Sequence, residues 1–303
     1  MTEQGVAPQK SFSARAFAEL VLLGVIWGVS FLSIRIALDT VPFVTTVFHR
    51  VFWATLVLWA VIAVQKLPIP KDPRIWGAFL VMGFLNNVLP FSLMAWGQLY
   101  VETGLTSILN AATAIFGVLL AAAFFRDERL SRPKLIGVTL GFLGVSITIG
   151  LGNLLQFSLG NLAQLAILGG TLSYALASVW ARFRLGHLPP QIAAAGMLTG
   201  ATVMMLPLML IVDGMPSLSQ PWQTWVSIAY YSVVATAGAY LLYYRVLAQA
   251  GSGNLMLVTL IIPPIAIVLG ALVRDESLPS NAYLGFAVLA AGLIILSRSG
   301  RRD

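Results

Sequence analysis

The sequence predicts an all-α polytopic membrane protein whose ten transmembrane helices form two inverted five-helix repeats. Three observations carry this. The 303 residues are 58% hydrophobic and only 10% charged, against about 25% charged in soluble domains. Charge-free stretches such as Leu135 to Ala181 and Val246 to Val273 exceed the roughly 20 apolar residues that cross a bilayer. The chain also repeats itself at a nearly constant offset.

Charges, prolines and glycine or asparagine clusters divide the chain into spans. A polar tail, residues 1–16, lacks the short apolar core and small-residue cleavage site of a signal peptide. The first span, near 17–37, stops before Asp39, and the second, 43–64, follows Pro42 and ends at Lys66. The third, 75–98, and the fourth, 103–124, flank Glu102, while the fifth, 133–150, follows Pro133. The Leu135–Ala181 run is too long for one span; Gly152, Asn153 and Gly160 favour a turn that splits off the sixth, 161–182. The seventh, 190–212, ends at Asp213; the eighth, ninth and tenth lie near 221–246, 252–273 and 281–297, with a tail of 298–303. The repeats are therefore 17–150 and 161–297.

Basic residues near span ends stay on the cytoplasmic side. With the N-terminus inside, fifteen of the 18 Lys and Arg fall inside and only Arg35, Arg50 and Arg274 outside. This predicts an inner-membrane protein with both termini cytoplasmic. The net charge of +7 thus reflects topology rather than a nucleic-acid face, since the basic residues sit between apolar segments. The absence of cysteine excludes thiolate chemistry and disulfides.

Arg126-Asp127-Glu128-Arg129-Leu130, followed by Gly137 and Gly144, recurs 148 residues later as Arg274-Asp275-Glu276-Ser277-Leu278, followed by Gly285 and Gly292. Leu20-Val21-Leu22-Leu23-Gly24 matches Leu165-Ala166-Ile167-Leu168-Gly169 at an offset of 145. Five spans per half is odd, so the second half enters from the opposite face, and exchange of two packings between inverted halves exposes a central cavity alternately to each side.

Trp27-Gly28 with Ser30-Phe31, Pro42 with Arg50, and the Asp-Glu-x-Leu followed by glycine in each half resemble the EamA type of the drug/metabolite transporter superfamily, over nearly the whole chain. The resemblance implies a transporter of small organic metabolites, and within the family it is nearest to bacterial aromatic amino acid exporters. Exchange of another metabolite, multidrug export and a passive channel are the competing readings.

A solute site belongs near the midplane, where polar groups are costly unless they face a cavity. The candidates there are Trp27, Asn87, Pro90, Asn110, Tyr174, Tyr240 and Pro263: aromatic walls, amides to orient a solute, and prolines that free backbone carbonyls. All eleven Asp and Glu fall in tails, loops or first turns, Glu19 deepest, so no carboxylate is placed as a proton carrier. Arg50 and Arg245, the cations a phosphorylated solute would require, read as lying near span ends. Two histidines on opposite sides, no cysteine and no deep carboxylate offer no enzymatic constellation. The expected partners are a small-molecule solute, an amino acid or related metabolite, and the lipid bilayer, with no nucleic acid, cofactor or metal. Oligomeric state stays open, a monomer being compatible.

Overall fold

A computed structural model describes residues 13–125, 128, 130–150 and 158–299. Outside them lie residues 1–12 and 300–303 of the two tails, Arg126, Asp127 and Arg129 of the first charged motif, and residues 151–157 of the expected turn between the halves.

Ten apolar spans follow in order: α1 Ala14–Ala37, α2 Phe43–Gln65, α3 Pro73–Gly97, α4 Thr103–Phe124, α5 Arg132–Ile149, α6 Leu159–Arg184, α7 Pro190–Val212, α8 Trp222–Gly251, α9 Val258–Arg274 and α10 Ser280–Ser299. Nine are long and apolar enough to cross a membrane; α9 has 17 residues because the chain breaks before it. The ends follow local chemistry. Ser13, Asp72 and Ser158 accept hydrogen bonds from amides of the first turns of α1, α3 and α6, Pro73, Pro133 and Pro190 stand in first turns where no amide donor is needed, and Lys66 and Asp275 close α2 and α9 in the left-handed region.

Contacts between helix ends fix the alternation of direction. Asp39 at the end of α1 meets Arg274 at the end of α9, and Asp213 after α7 meets Thr45 at the start of α2. At the end of the bundle that carries the chain termini, Glu19 of α1 meets Arg245 of α8.

The packing is two-fold. Helix α1 packs on α8 and α9, and α6 packs in the same way on α3 and α4; α2 pairs with α7, α4 with α9 and α5 with α10. Exchanging α1–α5 for α6–α10 maps the α1 pairs onto the α6 pairs and each of the other three pairs onto itself. The repeated glycines meet across this relation. A methyl on Gly137 would strike the Gly292 carbonyl, and one on Gly144 would strike the backbone of Gly285 and Leu289, so only glycine admits the α5–α10 approach.

Two irregularities recur 145 to 146 residues apart and escape the sequence reading. A π-helical segment interrupts α3 at Phe84–Val88 and α8 at Tyr230–Gly238. The helical path also breaks at Ala111–Ala112 inside α4 and at Met256–Leu257 before α9. After each break a threonine hydroxyl donates three residues back, Thr113 to the Asn110 carbonyl at 2.8 Å and Thr259 to that of Met256 at 2.6 Å.

Candidate functional site

Where the halves meet, a cavity of about 960 Å³ runs along the bundle. It reaches the end that carries the termini through Ala121, Glu128, Leu247 and Leu296, and none of its lining comes from residues 39–45, 99–103, 213–224 or 274–280 at the other end. That other end is sealed by polar clasps. The Asp213 carboxylate accepts from the Thr45 amide and hydroxyl, both at 2.7 Å, and Glu276 accepts from the amide and hydroxyl of Thr103 at 2.9 and 2.8 Å. Each places a negative charge at a helix N-terminus, where the helix dipole favours it. Arg274 holds Asp39 at 2.6 and 3.0 Å, and the Thr40 and Thr224 hydroxyls lie 2.9 Å apart.

Gln98, at the end of α3, lines both this cavity and a separate pocket of about 240 Å³ at the sealed end, and its Nε2 donates to the Phe31 carbonyl at 3.0 Å. One side chain thus stands between two open spaces.

The irregular segments build the wall. Trp27 of α1 lines the cavity and donates Nε1 to the Ala235 carbonyl, 3.1 Å away inside the π segment of α8. The Tyr240 hydroxyl, two residues beyond that segment, accepts from the amides of both Asn86 and Asn87 at 3.1 Å. Two donors on the oxygen leave the hydroxyl proton free for a third partner. Tyr174 packs its edge against Phe91. The wall is aromatic, with amides and hydroxyls set at a few points.

Of the seven residues singled out from the sequence, Trp27, Asn110, Tyr174 and Tyr240 line the cavity. Asn87, Pro90 and Pro263 stand outside its lining. Asn87 is fully buried behind Tyr240, with its Oδ1 unpartnered. Pro90 packs on Gly170 of α6. Pro263 is buried within α9, and the carbonyl it leaves free of a helical bond belongs to Thr259, which does line the cavity.

Arg50 departs from the sequence reading. It lies seven residues inside α2, about 10 Å from the helix start at 1.5 Å per residue, and its side chain lines the cavity rather than the interface. Its Nε donates to Thr236 Oγ1 at 3.0 Å and its guanidinium lies 3.7 Å from the centre of the Phe91 ring. Depth along the helix was the missed signal. Arg245, six residues from the end of α8, is half-exposed, bound to Glu19 and outside the cavity lining. Glu19 itself is buried in a cluster with Arg15, Arg245 and Gln249 at 3.0 to 3.1 Å, so it neutralises cations near the end that carries the termini. Glu128 lies at the cavity mouth, 3.5 Å from Lys134 and 3.7 Å from Arg182. His49 is buried among aromatics and accepts from Trp53. Among the described residues no group of three His, Asp or Glu could hold a metal ion.

Comparison with known proteins adds to this geometry. The model of the EamA-like transporter family matches residues 16–150 and again residues 161–298. A Streptantibioticus cattleyicolor protein named "probable terminal-alkyne amino-acid exporter" is 26% identical over 95% of this chain and 96% of its own. An Escherichia coli protein named "probable amino-acid metabolite efflux pump" is 25% identical over 91% and 92%. One solved crystal structure, 15% identical, superposes with a TM-score of 0.69 over 96% of this chain and 99% of its own, a likeness of fold.

Proposed function

Because this chain belongs to the EamA-like transporter family, we propose that it exports amino acids with aromatic or other apolar side chains across the inner membrane by alternating access. The observation that carries the reading is the cavity between the repeats, open toward one end and clasped at the other, with an aromatic wall and a few fixed polar groups. The names borne by the two relatives supply the amino-acid class. The open end is also the end rich in Lys and Arg, which supports reading it as the cytoplasmic side with both termini there. The modules that rock against each other are residues 17–150 and 161–297, and Gln98 argues against a continuous pore. The solute gradient sets the direction, since no acidic residue lines the cavity deeper than Glu128 among the described residues.

The test is counterflow in liposomes with labelled phenylalanine, leucine and other amino acids, with and without a pH gradient. Trans-stimulation by unlabelled solute is expected; uptake without it would indicate a channel. Cysteines at residues 2 and 303 should react with an impermeant reagent only from the cytoplasmic face.

A further inference from the structure

The cavity holds one charge that no protein group answers. Arg50 spends its Nε–H on Thr236 and rests its plane on Phe91. Among the described residues no carboxylate lies within ion-pair distance of it, and neither Nη atom has a hydrogen-bond partner. A guanidinium has five N–H donors, so four face no acceptor. Every other cation on the cavity wall is at the mouth, where Lys134 already has Glu128. A lone cation at membrane depth is costly unless something in the cavity meets it.

We infer that Arg50 is the anchor for the carboxylate of the carried solute, its two Nη groups gripping both oxygens side by side. The Thr236 bond and the Phe91 ring fix the plane of the fork, so little side-chain freedom is lost on binding. One guanidinium matches a monoanion; a phosphate dianion would call for a second cation, and the deep wall has none among the described residues. An α-ammonium finds acceptors in the amide oxygens of Asn86 and Asn110, both on the wall and neither engaged in a hydrogen bond among the described residues. This rests on the reading of the cavity as a solute site, but it concerns the carboxylate and not the whole amino acid.

Three ligands with a common phenyl body separate the groups: phenylalanine, 3-phenylpropionate without the amine, and phenethylamine without the carboxylate. Binding to purified full-length protein is followed by ligand-induced thermal stabilisation. The two carboxylates are expected to stabilise the wild type and phenethylamine not to. Arg50→Gln should weaken both carboxylates roughly 10- to 100-fold and erase their advantage over the amine. Arg50→Lys, with a charge but no fork, should restore part of it. Stabilisation by phenethylamine equal to that by the acids, a carboxylate preference retained in Arg50→Gln, or stabilisation by none of the three overturns the inference. If Arg50→Gln does not fold, the wild-type comparison of the three ligands decides alone. Binding of 3-phenylpropionate that requires Arg50, without phenylalanine counterflow, would sink the amino-acid reading and leave the anchor standing.

Discussion

Replacing Glu276 by Gln should loosen the sealed end, and the size of the effect follows from the clasp. The carboxylate accepts two hydrogen bonds from Thr103, at 2.9 and 2.8 Å, at the first residue of α4. Charge-assisted bonds contribute about 1.5–3 kcal/mol and neutral ones about 0.5–1.5. Gln keeps one accepting oxygen and loses the charge, so the closed end loses about 2 kcal/mol, or a roughly 30-fold shift toward opening. Asp39→Asn is the control. Asp39 and Arg274 are 37% and 28% exposed, so that pair contributes at most about 1 kcal/mol. Gly270→Ala should act like Glu276→Gln without touching a charge, because a methyl there would collide with the Glu276 carboxylate. The assay exploits the cysteine-free sequence. A single Ser30→Cys, on the cavity wall one turn past Trp27 toward the sealed end, is labelled with an impermeant maleimide from the side opposite the termini. Labelling should accelerate strongly in Glu276→Gln and only slightly in Asp39→Asn. Equal rates in parent and Glu276→Gln, or a larger effect from Asp39→Asn, would refute the reasoning.

Tyr240→Phe removes the oxygen that receives both Asn86 and Asn87; thermal unfolding should show a loss of about 1–2 kcal/mol, with a matching fall in counterflow rate. Trp27→Phe keeps a ring beside Tyr243 but drops the bond to Ala235, so KM should rise about two- to tenfold at unchanged folded yield. Gly144→Val drives side-chain atoms into the backbone of Gly285 and Leu289; size-exclusion chromatography should show lost monodisperse protein, reflecting about 3 kcal/mol of overpacking.

The spans were legible because lipid leaves a helix one way to satisfy its backbone, and charges or prolines mark nearly every boundary. The duplication was legible because Gly137, Gly144, Gly285 and Gly292 serve one contact that admits no other residue. The irregular backbone was not. The π segments at Phe84–Val88 and Tyr230–Gly238 have no composition of their own, and the break before α9 carries only an unremarkable Met256-Leu257. Aromatic candidates at mid-span reached the cavity, whereas Pro90 turned to α6 and Pro263 stayed off the cavity wall, a choice of face set by helix rotation. Arg50 was passed over because its depth was judged from distance to the loop and not from turns inside the helix.

The position of Gln98 also bears on electrical driving forces. It borders both the cavity and the pocket at the sealed end, so a charged solute passing it between the two spaces crosses part of the membrane potential. A zwitterion passes it without electrical work, but a solute with one net negative charge leaving a negative interior gains about 2.3 kcal/mol per 100 mV. Efflux of anionic 3-phenylpropionate should then quicken under an inside-negative voltage, and efflux of phenylalanine should not respond to it.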